Sequence, residues 1–250
     1  MKIATWNVNG IRARQVQLEE WIKSEQPDVI CLQEIKAAPE QIPESLQSID
    51  GYWCYWHGGK GYSGVGLHVR KEVAGDRPLF FHPEFDAEHR IVAANVGGLT
   101  VTSVYVPNGG KDLGAKMRFL NSLEAYAADG QRLGKAQVIC GDINIAHTDR
   151  DVHPRERKAN AIGQLPTERA AFDRILGHGL RDVARALHPD DDNLFTWWAP
   201  WRNLRQRNIG WRIDYVLASD AVAARATRCE AFREIGTSDH GPIVATFTWP

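Results

Sequence analysis

Five side chains able to move protons or hold a cation, Glu34, Asp142, Asp214, Asp239 and His240, stand in short polar clusters at the ends of apolar runs. The clusters are Trp6-Asn7-Val8-Asn9-Gly10, Leu32-Gln33-Glu34, Tyr105-Val106-Pro107-Asn108, Gly141-Asp142-Ile143-Asn144, Arg212-Ile213-Asp214-Tyr215 and Ser238-Asp239-His240. Oxygen donors of this kind suit Mg²⁺, which is held by one or two carboxylates plus substrate phosphate, so the chemistry indicated is metal-assisted hydrolysis. No thiolate or multi-histidine set competes for another metal. His240 with Asp214 can form an oriented imidazole, and Asp142 and Asn144, two residues apart on an extended tip, are expected to point to one side. Taken singly, each has a structural explanation: a turn for Asp142, a cap for Asn7, a plain ion pair for Asp and His. Their joint occurrence favours chemistry. A serine hydrolase does not fit, because the nucleophile elbow G-x-S-x-G is missing and adjacent strand residues face opposite ways. The phosphate-loop and H-E-x-x-H motifs are also missing from the sequence.

These clusters need strands to carry them. Buried strands are expected over Lys2 to Asn7, Asp28 to Gln33, Thr100 to Val106 and Gln137 to Cys140, with further strands over Arg212 to Ala218 and Ile243 to Trp249. Helical periodicity covers Gln15 to Lys23, Ala115 to Ala128 and Thr167 to Leu176, the last with Thr167 as its expected N-cap. The stretch from Tyr52 to Val104 is strand-like and broken by Gly and Pro, which disfavours a pure βαβ repeat and favours a layered α/β sandwich. Residues 148–166 and 199–210 are the longest irregular regions, and long loops in a compact domain are commonly functional.

At 250 residues, with 43% hydrophobic and 24% charged content, the chain is expected to form one domain over 1–250 and is neither disordered, collagenous nor coiled-coil. No apolar run is long enough to span a bilayer, and Met1-Lys2-Ile3 leads directly into a strand pattern, so a soluble, cytoplasmic protein that does not enter membranes is expected. The formal net charge of −1 means that any nucleic-acid surface must be a local patch. The four cysteines, Cys31, Cys54, Cys140 and Cys229, are too dispersed for a zinc site or a disulfide scaffold.

The clusters, together with Gly61-Tyr62-Ser63-Gly64-Val65-Gly66, resemble in order those of the exonuclease III family of AP endonucleases, within the endonuclease/exonuclease/phosphatase superfamily. The resemblance spans nearly the whole chain. It implies a four-layer α/β/β/α sandwich of two mixed sheets flanked by helices, with a Mg²⁺ site, also open to Mn²⁺, at one end. By matching positions, Glu34 holds the metal with Asn7, Asn9 and Asp239 nearby; some relatives carry Asp where this chain has Asn9. Asp142 matches the residue that orients or deprotonates the attacking water, Asn144 its neighbour on the phosphate, and His240, polarised by Asp214, the imidazole on the scissile phosphate. Tyr105 and Asn108 match groups near the phosphate or its leaving oxygen. The number of metals, and whether Asp142 or His240 is the base, stay open.

Damaged double-stranded DNA is the implied partner, bound by a monomer. Arg12, Lys60 and Lys111 supply cationic candidates, with Arg14, Arg155 to Lys158, Arg202 and Arg207 in further predicted loops. Aromatic residues with interleaved Arg over residues 196–205 can wedge into or stack on bases at a flexible, damaged position. Trp201 is the candidate wedge, Asn203 and Arg205 fall at polar DNA contacts, and Trp211 resembles a pocket wall for a flipped-out abasic sugar. Trp197 and Trp198 are expected in the core or in that pocket wall. The segment 151–161 loses the Asn-rich spelling of the family, with Asn160 a stand-in, which bears on the balance of 3′-end activities. Two other functions are weighed, a non-catalytic nucleic-acid-binding regulator on the same fold and a phosphatase of non-DNA phosphoesters. The retained acidic and histidine residues speak against the first, the Tyr105 to Asn108 segment and the 201–205 loop against the second.

Overall fold

The computed structural model describes residues 1–249. Twelve strands, numbered in chain order, form two six-stranded mixed sheets. The first contains β1 (Lys2–Asn7), β2 (Val29–Gln33), β3 (Tyr52–Gly59), β4 (Tyr62–Arg70), β11 (Ala226–Ala231) and β12 (Ile243–Phe247), in the order β11-β12-β1-β2-β4-β3. The second contains β5 (Phe80–Phe81), β6 (Ile91–Val96), β7 (Leu99–Tyr105), β8 (Gln137–Asp142), β9 (Leu180–Asp182) and β10 (Asp214–Ser219), in the order β5-β6-β7-β8-β10-β9. Seven helices accompany them among the described residues: α1 (Ile11–Glu25), α2 (Glu44–Gln47), α3 (Lys71–Ala74), α4 (Leu113–Arg132), α5 (Pro166–Gly177), α6 (Val183–Leu187) and α7 (Asp220–Ala223).

Three apolar layers hold this stack together. Alternate residues of each sheet, such as Ile3, Val29, Leu67, Val92, Val101, Val138 and Val216, meet between the sheets. Opposite faces pack against α1 on one side (Leu18, Trp21, Ile30, Leu32) and α4 and α5 on the other (Leu120, Leu123, Ile139, Phe172). The expected four-layer sandwich is therefore the observed fold. Among the described residues only two strand pairs are parallel, β1 with β2 through α1 and β7 with β8 through α4, as parallel neighbours require a crossover. In these pairs Asn7 lies opposite Gln33 and Tyr105 opposite Asp142, and the antiparallel β10 sets Asp214 beside Asp142. One end of the sandwich thus gathers the polar clusters.

Several boundaries differ from the sequence reading. Helix α1 begins at Ile11, four residues before Gln15, behind a Gly10 (φ 98°) that has no capping side chain. Thr167 is not a cap: α5 starts with Pro166, and the Glu168 carboxylate accepts from the Gly163 (2.7 Å) and Leu165 (3.1 Å) amides instead. Strand β8 runs on to Asp142, whereas β10 begins only at Asp214, because Arg212 turns inward to Asp151 (2.7 Å) and Asp182 (2.6 Å).

His68 sits in the middle of β4, paired with Ile30 and Cys54 and packed on Trp56, with both ring nitrogens buried and without a partner. Burial alone pushes its pKa down to about 3. The folded chain therefore disfavours the imidazolium that the unfolded chain gains below pH 6.5, so this residue costs stability as the pH falls through that value. The loss between pH 7 and pH 5 amounts to about 2 kcal/mol. In urea unfolding, His68→Leu is expected to lose about that much less over this interval than the parent chain; equal losses would show that the imidazole finds a partner in solution.

Candidate active site

At the end of β1, the fully buried Asn7 donates from Nδ2 to Glu34 Oε2 and to Asp142 Oδ2, both at 2.9 Å, joining the two sheets. Glu34 follows β2 with a left-handed backbone (φ 55°), a conformation that bulky residues adopt at a local cost and that clusters at functional sites. Its second oxygen pairs with Lys36 Nζ at 2.8 Å, and the same ammonium donates to Asn9 Oδ1 at 2.6 Å. Asn9 Nδ2 donates to Asp239 Oδ1 (2.8 Å), whose other oxygen accepts from Trp197 Nε1 (2.9 Å). Asn9 and Asp239 are thereby linked in a relay in which each polar atom already has a partner.

The second sheet supplies Asp142, Asn144, Asn108 and Tyr105. Gly141 (φ 143°) precedes Asp142 because a Cβ there would lie 1.9 Å from the Val104 carbonyl oxygen, so β8 could not close on β7 with any larger residue. Asp142 and Asn144 do converge, but through a left-handed Asn144 (φ 56°), not along an extended tip. The Asn144 amide donates to Asp142 Oδ1 (2.8 Å), and its Nδ2 donates to Asp142 Oδ2 (3.1 Å) and to the Val106 carbonyl (2.9 Å). Asn108 Nδ2 completes the row on Asn144 Oδ1 at 3.1 Å. Asn144 therefore aligns Asp142 with its amide group fully engaged. The Arg90 guanidinium stacks 4.9 Å from the Tyr105 ring. Burial, with the charges of Glu34 and Asp142, raises the Tyr105 phenol above its usual range, so it is neutral and can donate.

His240 Nδ1 lies 2.9 Å from Asp214 Oδ2, which also accepts from Thr196 Oγ1 at 2.7 Å. Its Nε2 faces Asp142 Oδ2 at 3.9 Å. Burial would lower the pKa of this imidazole, but the charge and hydrogen bond of Asp214, with Asp142 and Asp239, push it up to about 10. Asp142 moves the same way for a different reason: burial, then repulsion from Asp214 and Glu34, raises its carboxyl to about 8. Positive charge brought to this site restores the Asp142 carboxylate. Ser238 Oγ donates to the Asn7 carbonyl (2.7 Å) and accepts from the His240 amide (3.2 Å), which makes it a brace for the loop.

These groups line a cavity of about 350 Å³ with Trp197, Trp211, Ile162 and Ile213 as apolar walls. A larger cleft of about 650 Å³, between α1 and the start of β3, gathers none of the polar clusters. Glu34, Asp142 and His240 each offer a ligand atom within 4.8 Å of the others. The carboxylates of Glu34 and Asp142 fit a small divalent cation, with the Asn7 amide oxygen, which accepts from the Asn9 backbone (3.0 Å), beside them, while His240 as an imidazolium stands at the same point as a donor and not as a ligand. The cluster draws in Asp142 and His240, whereas both carboxylate oxygens of Asp239 are taken by Asn9 and Trp197.

Among the surface candidates, Arg12, Lys60, Lys111, Arg202 and Asn203 are exposed, and Trp201 leaves 59% of its surface in solvent. Trp211 stands edge-on to Trp197, 5.5 Å between ring centres, inside the cavity wall. Trp198 is buried. Arg205 is not a free cation: its guanidinium donates to the carbonyls of Arg233 (2.6 Å), Ile235 (2.7 Å) and Ser238, clamping the 199–210 loop to the segment that leads to Asp239. The 148–166 loop is tied down by reciprocal bonds, Lys158 amide to Gln164 (3.0 Å) and Gln164 to the Glu156 carbonyl (3.1 Å), leaving Asn160 exposed. Sequence reasoning missed Lys36 on Glu34, Thr196 on Asp214, and Lys116 beneath the asparagines.

A model of the endonuclease/exonuclease/phosphatase family matches residues 4–240. The chain belongs to that family. Within it, the chain is 33% identical over 248 residues to Exodeoxyribonuclease of Bacillus subtilis, covering 97% of this chain and 98% of that one. It is 35% identical over 261 residues to Recombination repair protein 1 of Drosophila melanogaster, covering 99% of this chain but 37% of that protein. A solved structure of the 3′ phosphatase NExo from Neisseria bound to product DNA hairpin superposes with a TM-score of 0.90, at 31% identity and full coverage of both chains. The resemblance to exonuclease III relatives thus extends from motifs to the whole fold.

Proposed function

We propose that the chain is a Mg²⁺-dependent DNA repair phosphodiesterase that cleaves the backbone 5′ of an abasic site and leaves a 3′-hydroxyl. It also acts on 3′ ends as a 3′-phosphodiesterase, 3′-phosphatase and 3′→5′ exonuclease. The family and its relatives support a hydrolase of DNA phosphodiester bonds. The observation that carries the reading is the Asn7 joint between Glu34 and Asp142, set opposite the Asp214–His240 pair in a cavity walled by two tryptophans. Such a cavity suits a phosphate with an extrahelical sugar.

Mg²⁺ at Glu34 and its neighbours would supply charge stabilisation on the phosphoryl oxygens. The Asp142 carboxylate, aligned by the Asn144 amide, takes the proton from the attacking water. His240, held cationic by Asp214, is a donor to the phosphate and not the base. Tyr105, as a neutral phenol, and Asn108 donate from the β7 side. Exposed Arg12, Lys60 and Lys111 contact backbone phosphates, and Trp201 with Asn203 meets the damaged step.

No helix among the described residues is long and apolar enough to cross a membrane. The 3′-end reading is drawn from the 148–166 loop, whose sequence departs from the Asn-rich spelling of the family and which is held by internal bonds of Lys158, Gln164 and Glu156. Denaturing-gel cleavage separates the two: one end-labelled duplex with a tetrahydrofuran abasic analogue, one undamaged and one with a 3′-phosphate, each in Mg²⁺ and in EDTA. Incision at the analogue is expected only with Mg²⁺. Reaction at 3′ ends alone would shift the function to end processing, and silence from folded protein would overturn the proposal. Trp201→Ala should weaken binding to the damaged duplex about tenfold while sparing hydrolysis of a small phosphate ester; equal loss on both substrates would remove its wedge role.

A further inference from the structure

Lys116 and Glu168 form an ion pair at 2.5 Å in which both side chains are completely buried. Removing two charges from water is costly, and mutual attraction alone repays it poorly unless further hydrogen bonds satisfy both groups. Here the remaining partners are loop backbone. The Lys116 ammonium donates to the carbonyls of Asn144 (2.7 Å) and Asn108 (3.1 Å), the two residues whose side chains form the row that ends on Asp142. Glu168 turns its second oxygen to the amides of Gly163 (2.7 Å) and Leu165 (3.1 Å). Gly163 in turn accepts from the Ala146 amide at 2.8 Å, two residues beyond Asn144. Gly109 (φ 89°) lets the chain pass over this lysine, since a Cβ there would meet Lys116 Cδ at 2.8 Å.

We infer that Lys116 and Glu168 are positioning residues of the hydrolytic site, which set turnover by fixing the main-chain carbonyls of Asn108 and Asn144 from beneath. A carbonyl held at one end of a peptide plane fixes the side chain rooted on the same residue. Two carbonyls held by one ammonium, itself fixed by Glu168, therefore orient Asn108 and Asn144 together, and with them the Asp142 carboxylate. The two helices, α4 and α5, lend rigidity to a row whose two asparagines lie on loops beyond the strand ends. Neither residue reaches the cavity, so neither touches substrate.

This inference rests on the hydrolytic reading of the site, and the test separates the two. Lys116→Met combined with Glu168→Gln removes both charges, keeps the volume and keeps an acceptor for the Gly163 and Leu165 amides. Incision of the abasic duplex by this variant is expected to show kcat reduced about 10- to 100-fold, with KM changed less than about threefold. A folded variant with unchanged kcat, or with its loss confined to KM, overturns the inference. Where Lys116→Met with Glu168→Gln does not fold, Lys116→Gln with Glu168→Gln, which keeps a neutral donor, is measured in the same way. The ¹⁵N side-chain amide resonances of Asn108 and Asn144 give a readout independent of activity, and they are expected to shift in the variant. Their constancy overturns the positioning role even if the parent enzyme proves silent on every DNA, an outcome that by itself overturns only the hydrolytic reading.

Discussion

Asp142→Asn is expected to lower incision of an abasic duplex by about 10²- to 10⁴-fold while leaving the DNA complex intact. The carboxylate is the one group at the centre of the cavity whose surroundings all serve to aim it: Asn7 and Asn144 hold Oδ2, and the Asn144 amide holds Oδ1. Burial and the neighbouring Asp214 and Glu34 already push its proton affinity up, to a pKa of about 8. Because its folded pKa lies above the unfolded value of 3.8, Asp142 costs stability progressively as pH rises from 3.8 to about 8, where the unfolded chain has ionised and the folded chain still holds the proton. A neutral amide relieves that cost and gives up hydrogen bonds to Oδ2, terms of opposite sign and similar size, so the melting temperature should move by only a few degrees. Single-turnover gel cleavage and a binding assay in parallel distinguish the outcomes. Loss of binding together with unfolding would make Asp142 a structural residue, and unchanged turnover would assign the base elsewhere.

What could be read in advance follows from how sheets are built. An apolar run that stops at a polar cluster marks a strand and its end, and the two parallel pairs, β1–β2 and β7–β8, bring four such ends together through their helical crossovers. The clusters around Glu34 and Asp142 were legible for that reason, and Asp214 and His240 from the polar residues beside the apolar runs of β10 and β12. The left-handed turn at Asn144 was not, since its φ of 56° is a local backbone choice that two-residue spacing does not encode. The clamp that Arg205 forms was not legible either, because the carbonyls it holds belong to residues 233–238, brought near only by the tertiary path. Lys116 left a trace that could have been followed: it falls in phase with Phe119, Leu120, Leu123 and Ala127 on the buried face of α4, where a lone charge requires a buried partner. The identity of that partner, Glu168, lies on another helix and carries no such trace.

Asp214→Asn is expected to reduce turnover by about 10²-fold or more at neutral pH and to change the form of its pH dependence. His240 is cationic because Asp214 outweighs the burial that would neutralise it, which places its pKa at about 10. The folded value lies above the unfolded 6.5, so the stability this pair contributes is complete below pH 6.5 and is lost as pH rises through the folded value. With a neutral amide at 214, burial prevails and the pKa falls. The imidazolium then gives up its proton at lower pH, and the alkaline limb of the rate profile should move downward from its position in the parent enzyme. Thr196 is the control for mere misplacement: Thr196→Val removes the hydroxyl at 2.7 Å from Asp214 Oδ2 but leaves the charge facing His240. That variant should lose rate without moving the alkaline limb, whereas Asp214→Asn should do both. A profile for Asp214→Asn that falls in height yet keeps its limb would mean that the alkaline limb does not report the His240 imidazolium, and the donor role assigned to it would fall.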